Sequence, residues 1–110
     1  MKLNTLNKAM TLMGEALGEK TTLRHMQVFL CVAIAHNKGE EIEVSDVIQR
    51  CGLAASVTSR IISALGVWDW KQQPGKKLLA SRELFSDRRR KSIELSKAGM
   101  KLVEKLESAR

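Results

Sequence analysis

A run of four basic residues, 88–91, stands directly before a stretch in which polar and apolar residues alternate. Ile93 and Leu95 alternate with a serine and a glutamate, and this period of two predicts a short strand, 92–95, with one buried face. The basic run then lies in a turn before the strand. Because the apolar residues of the strand are buried, they anchor it and the basic run points toward solvent. Its charges repel one another unless water or a polyanion solvates them. A run of charged residues is usually a solvated turn. A second feature of the sequence is therefore needed to favour binding of a polyanion.

That second feature is the segment 45–65, which predicts two helices joined by a tight turn. Ser45 is a typical N-cap, and Gly52 can adopt the left-handed conformation that ends a helix. The second helix then runs over 54–65. Its apolar stripe contains Ile61, Ile62 and Leu65, completed by Val57 or Thr58, and its polar face carries Ser56, Ser59, Arg60 and Ser63. This is a helix-turn-helix pattern, although many small helical domains also contain such a pair.

The positive charge of the chain is concentrated around the basic run. The 110 residues carry a formal net charge of +7, and the segment 71–91 contains eight cations and two anions, an excess of six. A local excess of this kind is expected of a nucleic-acid footprint. With 44% hydrophobic and 28% charged residues, the composition is that of a globular chain, which we interpret as a single domain over 1–110.

The remaining segments predict further helices and a hairpin. An amphipathic helix occupies 3–17 of the N-terminal unit 1–19 and ends at Gly18. Thr22 caps a second helix that is apolar nearly all round and should be the central buried one, ending at 37–39. One short strand follows within 40–44, and 78–85 pairs with 92–95 as a hairpin across 86–91. A winged-helix core over 20–95 is thus followed by a C-terminal helix in 96–110.

This order predicts a mainly α fold with a small β-hairpin wing: a winged helix-turn-helix of about five helices and two or three short strands. The wing segment also resembles a known family. Residues 86–99, Ser-Asp-Arg-Arg-Arg-Lys-Ser-Ile-Glu-Leu-Ser-Lys-Ala-Gly, are similar to the wing signature of MarR-type (multiple antibiotic resistance regulator) transcription factors. That signature reads Asp-x-Arg, a basic or small pair, alternating apolar residues, and Leu-Thr/Ser-x-x-Gly.

The resemblance covers residues 20–106. The segment 52–65 aligns without a gap to the family's recognition helix, and 22–30, including Gln27, is similar to the start of its second helix. The chain departs from the family in two places. The segment 68–84 is longer than the usual link before the wing, and the C-terminal helices through which the family dimerises are shortened after Leu106.

The resemblance implies a double-stranded DNA-binding protein, most simply a transcriptional regulator. The 54–65 helix would lie in the major groove, and the basic wing would reach the flanking minor groove, where a narrow A·T-rich groove attracts an inserted arginine. The family pattern assigns that insertion to Arg89, and Asp87 would brace the turn. We expect DNA contacts from Ser56, Thr58, Ser59, Arg60, Ser63, Lys76, Lys77, Arg82, Arg88, Arg89, Arg90 and Lys91.

A single recognition helix with few long donors covers only a handful of base pairs, so specific binding calls for two copies. The apolar stripe of the first helix offers more apolar surface than a monomer of this size needs, and the final helix is the natural place to meet it. We therefore expect a homodimer through Leu3, Leu6, Met10, Met13, Leu17, Leu102, Val103 and Leu106.

No set of residues in the sequence favours catalysis or a metal centre. His25 and His36 lie eleven residues apart on one helix, about three turns, which is too far to share a metal ion. The acids within 40–46 are typical of a solvated loop and a helix start. We therefore expect no enzymatic activity, no metal and no cofactor. Cys31 and Cys51 are expected to be buried reduced thiols, with a disulfide left open.

Two other functions stay open. Small basic winged helices also bind proteins, as adaptors or inhibitors of transcription or replication machinery, and Trp68 and Trp70 would suit a protein partner. The same wing could also bind RNA. The segment 1–18 has no apolar run typical of a leader, and the longest apolar run, 28–35, is too short to cross a bilayer. We therefore expect a cytoplasmic, nucleoid-associated protein without membrane contact.

Overall fold

The computed structural model describes residues 2–18, 20–66, 75–84 and 87–109, and within the wing it describes the backbone alone at 82–84 and 87–91. Over these ranges the chain forms five helices and three strands, which confirms the predicted mainly α winged helix-turn-helix fold. In chain order the elements are α1 (Leu3–Leu17), α2 (Leu23–Asn37), β1 (Ile42–Glu43), α3 (Val44–Cys51), α4 (Ala55–Leu65), β2 (Leu79–Leu84), β3 (Asp87–Leu95) and α5 (Lys97–Ser108).

Local capping residues set the end of α1 and the start of α2, as the sequence predicts. The α1 helix ends at Gly18, whose φ of 98° only glycine adopts readily. At the start of α2 the backbone N–H of His25 donates to the Thr22 hydroxyl oxygen, and the Thr22 N–H donates back to His25 Nδ1, both at 3.4 Å. This reciprocal pair satisfies two backbone donors that a helix start would otherwise leave without partners.

The start of α3 differs from the prediction. Glu43, and not Ser45, is the N-cap residue, and its backbone N–H donates to Asp46 Oδ2 at 2.8 Å. The helix begins earlier because β1 is only two residues long and the chain turns into α3 directly from it. The predicted end of the helix is confirmed, since Gly52 has a φ of 67° and donates its N–H to the Ile48 oxygen.

The three strands form one antiparallel sheet in the order β1-β3-β2. Ile93 lies at its centre, opposite Ile42 on one side and Ser81 on the other. The predicted strand 92–95 is therefore too short, because β3 already begins at Asp87 and pairs with β2 along the wing. The basic run 88–91 thus belongs to a strand and not to a turn.

The core is built around one face of α2. Val28, Phe29 and Val32 are at most 1% exposed, and they pack with Ile42, Leu65 and other buried side chains of the sheet and of α4. The opposite face is not buried: Leu23 is 63%, Leu30 is 36% and Ile34 is 52% exposed. The prediction of a helix buried nearly all round is therefore wrong for this face, because β3, α3 and α4 pack on other parts of α2.

The apolar stripe of α1 divides between the core and the surface. Met13 and Leu17 are 5% and 4% exposed, and α1 packs on α5, where Leu102 and Val103 are also buried. These four side chains fill the core of their own chain, so the expectation that they form a dimer interface is wrong. Leu106 is partly buried against the same core. The exposed part of the stripe is Leu3, Leu6 and Met10.

Candidate nucleic-acid interface

The α4 helix exposes one continuous polar face. Ser56, Ser59 and Arg60 are exposed, and Ser63 is partly buried. Opposite them Ile61 and Leu65 are buried in the core, so packing fixes the direction in which the polar face points. A helix held in this way by its apolar stripe can present short hydroxyls and one guanidinium to a groove.

Thr58 does not belong to that face. Its side chain is fully buried, and its hydroxyl donates to the Ala54 backbone oxygen at 3.1 Å. The predicted DNA contact of Thr58 is therefore wrong. The helical spacing explains the error, because residues 58, 61, 62 and 65 follow one stripe at intervals of three and four. Val57, the neighbouring residue, is 42% exposed, although no DNA contact was predicted for it.

The wing carries its arginines at an irregularity in the ladder between β2 and β3. Glu83 pairs with Lys91, but the next residue, Leu84, pairs with Asp87. The register therefore gives β3 three additional residues, 88–90, between these two pairs. A bulge of this kind bends a strand away from its partner and increases its local twist. The three arginines thus occupy the part of β3 that leaves the ladder.

Several predicted contacts involve side chains outside the described part of the chain. These are the side chains of Arg82, Arg88, Arg89, Arg90 and Lys91, and the whole of Trp68 and Trp70. Their roles stay predictions. The backbone position of 88–91 within β3 is described, so the strand that presents the basic run is known.

A short segment attaches the base of the wing to the end of α4. The backbone N–H groups of Lys76, Lys77 and Leu78 donate to the oxygens of Ala64, Gly66 and Leu65 at 2.8–2.9 Å. Three consecutive bonds fix the direction in which β2 leaves the helix. The wing and the polar face of α4 are therefore held relative to each other by backbone hydrogen bonds and not only by side-chain packing.

The two lysines of this segment differ in position. Both are exposed, and Lys77 has a φ of 59°, unusual for a residue with a side chain. The Lys76 ammonium nitrogen lies beside Gly18, where an added Cβ would be only 2.9 Å away. That places its charge at the C-terminal end of α1, where the helix dipole favours a cation. Lys77 does not make this contact with Gly18.

The start of α5 completes the base of the wing. The Ser96 hydroxyl donates to the Lys77 backbone oxygen at 2.5 Å and accepts the Gly99 N–H at 3.1 Å, while the Ser96 N–H donates to the Leu78 oxygen. Gly99 is buried, and any Cβ at this position would overlap the Leu78 oxygen. These contacts give the Leu-Ser-x-x-Gly part of the wing signature a physical role: it seats α5 on the strand that leads into the wing.

Among the described residues no three His, Cys, Asp or Glu side chains stand close enough to hold a metal ion. None of the described helices is long and apolar enough to cross a membrane.

Burial lowers the pKa of His25, whose ring belongs to the α2 cap. Cys31 and Cys51 are both free thiols. Each is half-buried, whereas the sequence predicted that both would be buried.

Solved structures share this fold. The PcaV transcriptional regulator from Streptomyces coelicolor, in complex with its natural ligand, is 22% identical with a TM-score of 0.63, and the match covers 94% of this chain and 66% of that one. The S. aureus MepR–DNA complex is 20% identical with a TM-score of 0.71 over 94% of this chain and 73% of that one. The YusO protein from Bacillus subtilis is 20% identical with a TM-score of 0.63, covering 96% and 64%.

These structural neighbours are MarR-family regulators, so the resemblance seen in the wing and recognition-helix residues is confirmed at the level of the fold. The chain spans about two thirds of the length of the first of these structures. No protein-family profile matches the sequence, and no curated protein does.

Proposed function

We propose that this protein is a double-stranded DNA-binding transcriptional regulator that places α4 in the major groove and the wing in the adjacent minor groove. The observation that carries the proposal is the fixed pairing of two surfaces: the polar face of α4 and the bulged arginine strand are joined through the hydrogen-bonded segment 76–78. A structural neighbour with the same fold is a DNA complex.

The α4 helix supplies few groups that can read bases. Arg60 is its only long donor, Ser56 and Ser59 are short, and Val57 offers apolar contact to a thymine methyl group. Ala54, the N-cap residue, has no side-chain bond to the first turn, so the backbone N–H groups there are suited to a phosphate. We expect sparse base readout and an affinity dominated by phosphate contacts.

The wing supplies the shape-dependent contact. Arg89 is at the middle of the additional residues in β3, and we assign it to the minor groove, where a narrow A·T-rich tract concentrates negative potential. Arg88, Arg90 and Lys91 then bind the flanking phosphates. Lys77 and Arg82 continue the same basic strip toward α4. Asp87, paired with Leu84 across the ladder, closes the irregularity.

Two copies of the chain are proposed to bind a pseudo-palindromic site. The surface proposed for the dimer is now the exposed part of α1, with Leu3 at 81%, Leu6 at 43% and Met10 at 44% accessibility. An amphipathic helix that leaves such residues uncovered in the monomer can bury them against a second copy. A regulator of this kind acts on the chromosome, so we also propose that it is cytoplasmic and associated with the nucleoid.

A protein-interaction module is the second candidate, and one observation favours it. Leu23, Leu30 and Ile34 are exposed along one face of α2. An apolar face of this kind can bind a partner protein. The protein contacts predicted for Trp68 and Trp70 belong to the same hypothesis of a protein-interaction module. Replacing each tryptophan by alanine would test them.

Selection from a random duplex pool tests the proposal directly. The purified chain should enrich a sequence with A·T-rich flanks, and log K should fall linearly with log salt, by about 0.9 per phosphate contact. RNA of the same length should compete poorly. Enrichment of no sequence, together with binding that is insensitive to salt, would favour the protein-interaction module; preferential binding of RNA would replace DNA as the partner.

A further inference from the structure

The two cysteines of the chain, twenty residues apart in sequence, come together between α2 and the end of α3. The Cys51 thiol donates to the backbone oxygen of Gln27 at 3.9 Å, one turn before Cys31 on the same helix. Cys31 and Cys51 line the same groove between these two helices, and neither is part of a disulfide. Two free thiols in this position are a dithiol pair and not two isolated cysteines.

The pair is accessible from solvent. Both thiols line an open groove of about 340 Å³ whose other walls are Gln27, Leu30, Ile34 and Arg50. A small molecule can therefore reach the sulfur atoms. Arg50 gives the groove one positive charge at its rim, although it is also paired with Glu40 at 3.0 Å.

We propose that Cys31 and Cys51 form a reversible dithiol–disulfide site that links α2 to the last residue of α3 when the protein meets an oxidised low-molecular-weight thiol. In the first step the Cys51 thiolate attacks one sulfur of the small disulfide, forming a mixed disulfide and releasing one small thiolate. In the second step the Cys31 thiolate attacks the Cys51 sulfur and releases the second small thiolate. The protein loses two thiol protons and two electrons, and the small disulfide is reduced to two thiols.

The environment sets the order of the two steps. Burial raises the pKa of Cys31 to about 11, the neighbouring Cys51 thiol and Asp46 act in the same direction, and Arg50 opposes them. Because the thiolate is the nucleophile, Cys31 is a poor first attacker near neutral pH. The rate at which the disulfide closes should therefore be limited by the deprotonation of Cys31. Its rate should rise about tenfold per pH unit between pH 7 and 9, since the thiolate fraction does so well below the pKa.

A disulfide between Cys31 and Cys51 would involve the helix-turn-helix directly, because Cys51 is the last residue of α3. Cys51 directly precedes Gly52, the left-handed residue at which α3 ends and the chain turns toward α4. A bond from Cys51 to α2 would fix this end of α3 to the central helix. Formation of this disulfide depends on the two thiols alone and not on DNA binding.

Redox equilibration of the full chain in buffers of reduced and oxidised glutathione tests the inference. Trypsin releases Cys31 in peptide 25–38 and Cys51 in peptide 51–60, so a disulfide-linked pair of these peptides from monomeric protein identifies the bond. The equilibrium constant for closing it should be about tenfold or more higher in native buffer than in concentrated urea, because the fold holds the thiols together. Equal constants in the two solvents, or disulfides only between chains, would overturn the proposal.

Single variants separate the two steps. Cys31→Ser should stop at a stable mixed disulfide on Cys51, whereas Cys51→Ser should react much more slowly near neutral pH. Equal rates of modification for the two variants at pH 7 would contradict the assigned order. A closure rate in the wild-type chain that stops rising by pH 8 would do the same, since Cys31 would then be ionised far below its pKa of about 11.

Discussion

Replacing Gly99 by alanine should destabilise the protein although alanine is the better helix former. Gly99 is buried in the first turn of α5, and a Cβ there would overlap the Leu78 backbone oxygen and lie 3.3 Å from a methyl carbon of Leu95. A normal carbon–oxygen contact requires a shift of about 1 Å. Such a shift would strain the Ser96 N–H to Leu78 oxygen bond of 3.0 Å at the base of the wing.

The expected magnitude follows from two opposing effects. Overpacking of a tight site costs about 1–3 kcal/mol, while glycine to alanine in a helix gains at most about 1 kcal/mol. Gly14 is a matched control, since it lies in the interior of α1 and an added Cβ would meet nothing within 4 Å. Gly14→Ala should therefore stabilise the protein by about 0.5–1 kcal/mol. Because the helix gain is similar at both positions, the two variants should differ by about the overpacking cost, roughly 1–3 kcal/mol.

Urea unfolding followed by circular dichroism measures this difference. At a slope of about 1.5 kcal/mol per molar urea, the midpoint of Gly99→Ala should lie about 0.7–2 M below that of Gly14→Ala. Gly99→Ala should also fall below wild type. A Gly99→Ala midpoint at or above that of wild type would refute the close packing of α5 on Leu78, and with it the structural role assigned to this glycine.

Three further predictions concern base reading, pH and assembly. Arg60→Ala should lower the ratio of specific to nonspecific DNA affinity by about 1–3 kcal/mol, whereas Lys77→Ala should weaken binding to all sequences evenly; an unchanged ratio for Arg60→Ala would remove α4 from base reading. Because burial lowers the pKa of His25, folding favours its neutral form, so stability is fully present above about pH 6.5 and declines as the pH falls through the lowered pKa. Replacing His25 by glutamine, which can keep the cap with Thr22, should flatten this part of the pH profile of urea midpoints, and a profile identical to wild type would contradict it. Leu3→Glu should turn a dimer into a monomer in sedimentation at tens of micromolar without loss of helix content; a wild-type chain that is itself monomeric there would contradict the proposed dimer.

Features that depend on one local residue could be predicted from the sequence. Gly18 and Gly52 end helices because their positive φ values suit glycine, and Thr22 caps α2 through bonds within one helical turn. The alternation of Ile93 and Leu95 likewise predicted a strand, and both residues are buried, although Ser92 on the opposite face is buried as well. In each case the physical cause lies within a few residues of the signal.

Features that depend on distant parts of the chain were predicted less well. Ser45 is a good N-cap by type, but Glu43 is the N-cap and α3 begins at Val44, because the pairing of β1 with β3 ends at Glu43. The burial of only one face of α2 depends on which elements pack on it. The three additional residues in β3 depend on its register with β2, which no local pattern encodes. Thr58 is different: its place in the buried stripe was visible in the helical spacing.

The central claim is that the wing strand reads the minor groove, and the affinity of Arg89→Ala for duplex DNA tests it most directly. Lys101→Ala is the charge-matched control, because Lys101 is an exposed lysine on α5 and belongs to neither α4 nor the wing strands. On duplexes with A·T-rich or G·C-rich flanks, Arg89→Ala should bind more weakly than the control and lose the preference for A·T-rich flanks, while Lys101→Ala keeps it. Equal affinity of the two variants on both duplexes would contradict the account.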